Sequence, residues 1–181
     1  KWSVIHLGIP VSSSSFLPLA TGSKLKLLWV GRFTDIKDPA YAVKVVEELE
    51  KLSPGKYELN MVGGGELLEL IKKSAQNLPV TFFGWLDKPF ENSGHFDLLL
   101  LTSKNEGMGL VMLEAANYRK PTVARNVGGI SEFVTDGGNG LLIDEGPEVM
   151  ANQINSLKIE DLSKMGEASY QVLTREFTDK V

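Results

Sequence analysis

The chain has 181 residues, 43% hydrophobic and 23% charged, which is ordinary for one globular domain with a real core. A formal charge of -4 with no concentrated basic stretch argues against nucleic-acid binding, and the absence of cysteine excludes disulfides and thiolate metal sites. No apolar run approaches the roughly 18 residues that a membrane span needs.

The opening segment, "KWSVIHLGIPVSSSSF", does not read as a signal peptide, because its apolar run is short and Pro10 interrupts it. It starts with Lys1 in a strand-like pattern, as a piece of a longer protein would, and the serines at 12–15 read as a linker or loop. "KLKLLWVG" is a β-rich run ending at Gly31. Asp38 then offers an N-cap and Pro39 the favoured first helical position. Ala42, Val45, Val46, Leu49 and Leu52 follow at helical spacing until "SPG" ends the helix.

"KYELNMVGGG" is a second strand closing on three glycines, and Leu67, Leu70, Ile71, Ala75 and Leu78 predict an amphipathic helix after it. "VTFFGW" is a third strand, with Phe82 and Phe83, like Trp29, expected in the core. "FDLLLLTS" is a continuous apolar run of strand length, as expected where both faces of a parallel sheet are covered. A helix after Gly109, strands at "KPTVAR" and "GLLID", and a mostly helical remainder from Pro147 complete the pattern. Strands alternating with helices predict a Rossmann-like three-layer α/β/α domain around a parallel sheet of about six strands. Ligands of such sheets bind beyond the carboxyl ends of the strands. The turns after Val30, Val62, Phe83 and Thr102 all lie at that edge.

The turn after Thr102, "SKNEGMGLVMLEAA", places two glutamates around a Gly-Met-Gly opening. Ser103 and Glu106 match a capping box, a local device for starting a helix. That start puts Gly107 and Gly109 inside the first turns at about 1 kcal/mol each, so it explains the glycines poorly. A helix starting near Leu110 instead aims its free N–H groups and positive dipole end at the crevice, which suits phosphate. Glu114, one turn in, and Glu106, before the helix, are then placed to accept hydrogen bonds from sugar hydroxyls on either side. Arg32 and Lys37 in "VGRFTDIKD" supply a bidentate fork and a point charge at the same edge. Gly128 and Gly129 in "NVGGISE" read equally as a second ligand turn or as a βα turn needing positive φ. His6 and His95, the only histidines, read as structural, and no side-chain cluster has metal spacing. Neither "VGGG" nor "GMGLVM" completes a dinucleotide fingerprint.

These stretches, in this order and spacing, resemble the C-terminal, donor-binding half of a retaining GT-B glycosyltransferase of glycosyltransferase family 4. The E-x7-E element from Glu106 to Glu114 is its most specific mark, and the Arg-x4-Lys pair adds to it. The resemblance implies residues 1–20 as an interdomain segment, 21–181 as the donor domain, and an N-terminal acceptor domain outside this chain. Arg32 and Lys37, after Gly31, would hold the diphosphate of a nucleotide-sugar, and Glu106 with the Met108 and Gly109 backbone would bind the transferred sugar. The Leu110 and Val111 amides would meet the distal phosphate and Glu114 the ribose, with Gly84 and Trp85 near the base. Met108 replaces a frequent aromatic residue and Leu7 a common Asn.

The implied reaction moves a sugar from a nucleoside diphosphate to a glycan, lipid or small-molecule acceptor held by the other domain, with retention and without cofactor or metal. The implied setting is polysaccharide biosynthesis in the cytoplasm or at the membrane periphery, and these residues alone would bind donor weakly and transfer nothing. Half of a sugar-nucleotide epimerase and a non-catalytic nucleotide-binding module are the alternatives.

Overall fold

Six parallel strands order the fold. The structure is a computed structural model that describes Ile9 and residues 24–177. The linker, its serines, His6 and Leu7 lie outside the described residues. The strands are β1 (Leu25–Val30), β2 (Tyr57–Val62), β3 (Val80–Gly84), β4 (Leu98–Leu101), β5 (Thr122–Arg125) and β6 (Gly140–Ile143). They form one sheet in the order β3-β2-β1-β4-β5-β6. The order reverses direction between β1 and β4, so a crevice opens beyond their carboxyl ends.

Alternation along the strands feeds two cores. Leu27 and Trp29 of β1 and Leu98 and Leu100 of β4 pack on one face, where α1 (Pro39–Leu52), α2 (Leu68–Ser74) and α5 (Pro147–Ser156) lie. Leu28, Leu99 and Leu101 pack on the other, against α3 (Pro89–Asn92), α4 (Leu110–Asn117) and α6 (Ile159–Glu176). All four β4 leucines are buried, as a central strand covered on both sides requires. The expected three-layer α/β/α architecture is what the chain adopts.

Three expectations are corrected. The second helix is shorter than its apolar spacing suggests, and Leu70 is 62% exposed. Ile71 and Ala75 alone bury fully there, because α2 is a short helix that packs chiefly against α1 and leaves its other side to solvent. Phe83 is 37% exposed: on an edge strand one face packs, through Phe82, and the other meets solvent. Leu52, at the end of α1, is likewise exposed rather than core.

At the opposite, amino edge of the sheet the fold buries charge. Asp97 accepts from the Lys26 amide at 2.8 Å and lies 2.7 Å from His95 Nε2. Lys120 is completely buried beside the Phe96 ring. Burial pushes its pKa down to about 8, against the opposing pull of Asp97. His95 thus belongs to a structural cluster remote from the strand ends that carry the crevice.

Candidate functional site

The crevice is built from two loops that meet across the β1–β4 boundary. After β1 the chain turns at Gly31, passes Arg32 and makes a 3-10 turn over Asp35–Lys37. Asp38 follows in the left-handed region, φ 46°, where Asp is among the few tolerated side chains. Its carboxylate accepts from the Tyr41 amide at 3.3 Å, so the expected N-cap of α1 is present with Pro39 behind it.

After β4, Thr102 ties the two loops together. Its hydroxyl donates toward the Lys37 and Asp38 carbonyls, each at 3.0 Å, and accepts from the Trp29 indole N–H at 2.9 Å. The Lys104 amide donates to the Ile36 carbonyl at 2.8 Å and its ammonium meets Asp35 at 2.6 Å. Arg125, at the end of β5, pairs with Asp38 at 3.3 Å and lies over the Tyr41 ring. Tyr41 in turn donates to the Glu145 carbonyl at 2.8 Å. The loop that carries Lys37 is therefore held at three strand ends.

Lys37 reaches Glu106. Its Nζ lies 2.6 Å from Glu106 Oε2, and the Ser103 hydroxyl donates to the same oxygen at 2.8 Å. The two charged side chains are 27% and 12% exposed, so the pair is partly withdrawn from water. No helix starts at Ser103: its bond to Glu106 orients a carboxylate inside a loop, and the capping-box reading falls. Arg32, by contrast, is exposed and has no ion-pair partner among the described residues.

The glycines serve the turn into α4. Gly109 is the residue before the helix at φ 64°, and no side chain caps it. The Leu110 and Val111 amides begin the helix at the crevice, with Leu110 exposed. Gly107 is exposed and has no atom within 4 Å of where a Cβ would stand. Met108 is half-buried and packs against the core beneath α4.

Gly128 resolves the ambiguity of its turn. It adopts φ 57°, and a Cβ there would come within 1.8 Å of the Glu106 carbonyl oxygen. The next amide, of Gly129, donates to that carbonyl at 3.1 Å. The turn after β5 thus clamps the backbone of Glu106, a structural duty in service of the crevice.

Glu114 faces a different part of the same rim. It lines a cavity of about 260 Å³ between α3 and α4 with Lys88, Phe90, Glu91, Asn117 and Tyr118. Burial raises its carboxyl above the ordinary value. Trp85, after Gly84 at the end of β3, is 72% exposed, and its indole lies so close to Gly64 that a Cβ there would meet Nε1 at 2.7 Å. The fold thus brings Lys37 and Glu106 into contact, and it sets Arg32, Gly31, Gly109, Leu110 and Val111 along the ends of β1 and β4. Glu114 and the Gly84–Trp85 turn stand to the side. Sequence reasoning missed Thr102, Asp38, Arg125 and Ser103 as supports.

Comparison with known proteins shows the family of the chain. The family described as "Glycosyl transferases group 1" matches residues 16–172. Escherichia coli "O-antigen biosynthesis glycosyltransferase WbnH" is 36% identical over 120 residues, 66% of this chain and 33% of that protein. Bacillus anthracis "N-acetyl-alpha-D-glucosaminyl L-malate synthase" is 34% identical over 141 residues, 74% of this chain and 35% of that protein. The chain spans about a third of the length of these curated relatives. Among solved structures, Staphylococcus aureus TarM, in complex with fondaparinux, α-GlcNAc-glycerol and UDP, superposes with a TM-score of 0.81 at 22% identity. That match covers 94% of this chain and 36% of TarM, and it shows a common fold. No helix among the described residues is long and apolar enough to cross a membrane.

Proposed function

Because the chain belongs to the glycosyl transferases group 1 family, we propose that it is the donor-binding half of an enzyme that transfers a sugar from a nucleoside-diphosphate sugar with retention at the anomeric carbon. The observation that carries this reading is the Lys37–Glu106 contact, 2.6 Å, beside the uncapped start of α4 at the point where the strand order reverses. A cation, free amides and a sheltered carboxylate meet there. A diphosphate bearing a sugar offers matching groups for all three.

In this reading Lys37, Arg32 and the Leu110 and Val111 amides hold the diphosphate. Their charge and dipoles stabilise the negative charge that develops as it leaves, the electrostatic preorganisation that supplies much of many rate enhancements. Glu106, held through Oε2 by Ser103 and Lys37, turns Oε1 toward the hydroxyls of the transferred sugar, with the Met108 and Gly109 backbone alongside. Glu114 takes the ribose hydroxyls, and the Gly84–Trp85 turn borders the base. No side chain at the site is a nucleophile in this scheme, so retention proceeds by departure and attack on one face of an oxocarbenium-like sugar. No metal or cofactor takes part.

The acceptor is held by a domain outside these residues, and the donor half alone binds nucleotide without transferring. Kinship with an O-antigen glycosyltransferase supports a growing polysaccharide as acceptor.

The role of Glu114 is open to a direct test in the complete protein. Glu114→Gln raises the donor KM about tenfold with a smaller effect on kcat, since hydrogen bonds to a charged group are each worth about 1.5–3 kcal/mol. Because burial raises the Glu114 pKa, its neutral form appears at a higher pH than for an ordinary glutamate. Donor KM therefore climbs as pH falls through that raised value in the wild type, and the climb is absent from the Gln variant. An unchanged KM would rule the assignment out.

A further inference from the structure

We infer that the charge of Glu106 makes the site discriminate against the free nucleoside diphosphate, the product, in favour of the sugar-loaded donor; this rests on Lys37 being a diphosphate ligand. The geometry is specific. Lys37 Nζ and the Ser103 hydroxyl converge on the single oxygen Oε2, at 2.6 and 2.8 Å. Oε1 has no hydrogen-bond partner among the described residues, and the side chain is only 12% exposed. The backbone beneath is fixed by the Gly129 amide on the Glu106 carbonyl, 3.1 Å, with Gly128 packed against that carbonyl. The carboxylate thus cannot retreat as a flexible surface glutamate would.

Two different guests meet this arrangement differently. A bare nucleoside diphosphate finds Lys37 half-neutralised by a carboxylate at contact distance. The same carboxylate repels the terminal phosphate, with little water between to screen it. A nucleotide-sugar carries one negative charge fewer at the terminal phosphate, and it places a hydroxyl where Oε1 can accept a charge-assisted hydrogen bond. The penalty against the product is then offset by a contact that only the donor makes. After transfer the sugar is gone and the repulsion remains, which speeds release of the diphosphate, a step that limits turnover in many enzymes.

This gives a substitution in the binding machinery that tightens binding. Glu106→Gln removes the charge and retains a shape and an amide oxygen that Ser103 can still meet. Calorimetric titration of the complete protein with UDP, GDP and ADP, carrying the tightest forward, compares wild type, Glu106→Gln and Lys37→Met. The expected result is diphosphate affinity about tenfold higher in Glu106→Gln, as removal of one partly buried like charge allows. Lys37→Met binds more weakly than wild type. If Glu106→Gln binds the diphosphate no better than wild type while Lys37→Met is impaired, the discrimination is refuted and the reading of Lys37 stands. If Lys37→Met binds as wild type does, or if none of the three nucleotides binds any form, the reading of the site fails with it. Equal melting temperatures of wild type and Glu106→Gln exclude a folding defect as the source of the change.

Discussion

Lys37→Met lowers transferase activity of the complete protein by about 10²- to 10³-fold, the range seen when one electrostatic contact to a developing negative charge is removed. The effect falls on kcat as well as on donor KM, because Lys37 faces more charge in the transition state than in the bound donor. Methionine matches the unbranched apolar stem of lysine and lacks only its terminal ammonium, so packing against the loop is little disturbed. The loop itself is fixed by other groups: Thr102 on the Lys37 and Asp38 carbonyls, and Arg125 on Asp38. The Glu106 carboxylate loses its cation, though, and retains only Ser103 on Oε2. Some of the loss therefore belongs to a misplaced Glu106. Activity within a few-fold of wild type would show that the ammonium does not meet the leaving group.

Gly128→Ala produces the larger effect on folding. The added methyl group would stand 1.8 Å from the Glu106 carbonyl oxygen, far inside van der Waals contact, and the backbone there has φ 57°. The left-handed conformation alone costs an alanine about 1–2 kcal/mol. Gly137 provides the control, since it has φ 69° and no atom within 4 Å of its would-be Cβ. Gly137→Ala loses only the conformational term, while Gly128→Ala loses about 3 kcal/mol or rearranges the 103–109 loop. Thermal denaturation of both variants reads the difference directly. Gly128→Ala also lowers activity where it folds, because the displaced carbonyl carries the Glu106 side chain with it. Equal destabilisation of the two variants would mean that the Glu106 contact contributes nothing.

Much of this was legible in the chain. Four consecutive leucines at 98–101 admit a fully covered strand and little else, and the alternation of Leu27, Leu28 and Trp29 divides them between two cores as a central strand must. Asp38 before Pro39 marks the start of α1 correctly. Leu70 and Phe83 misled because spacing reports which residues share a face, not how much of that face a neighbour covers; Phe83 lies on edge strand β3 and Leu70 on a short helix packed chiefly against α1.

The site divides in the same way. The glycines at 107 and 109 and the acidic pair around them have local reasons that a short window exposes. The contact of Lys37 with Glu106 does not, because it joins residues 69 apart and exists only because β1 lies beside β4. Thr102, Arg125 and Gly128 matter for the same non-local reason. Each stabilises a loop that belongs to another strand, and nothing in its own neighbourhood announces the partner. Trp29 reads as core and is core, yet its indole N–H also supports the crevice through Thr102.

The central claim is that one diphosphate bridges the loop after β1 and the start of α4. Hydrogen exchange of the complete protein, followed by mass spectrometry with and without the nucleoside diphosphate that binds it, tests this most directly. The account predicts that exchange slows together in residues 31–38 and 107–112, while the Asp97–Lys120 edge of the sheet is unchanged. Saturating nucleotide that leaves either segment exchanging at its free rate would contradict it.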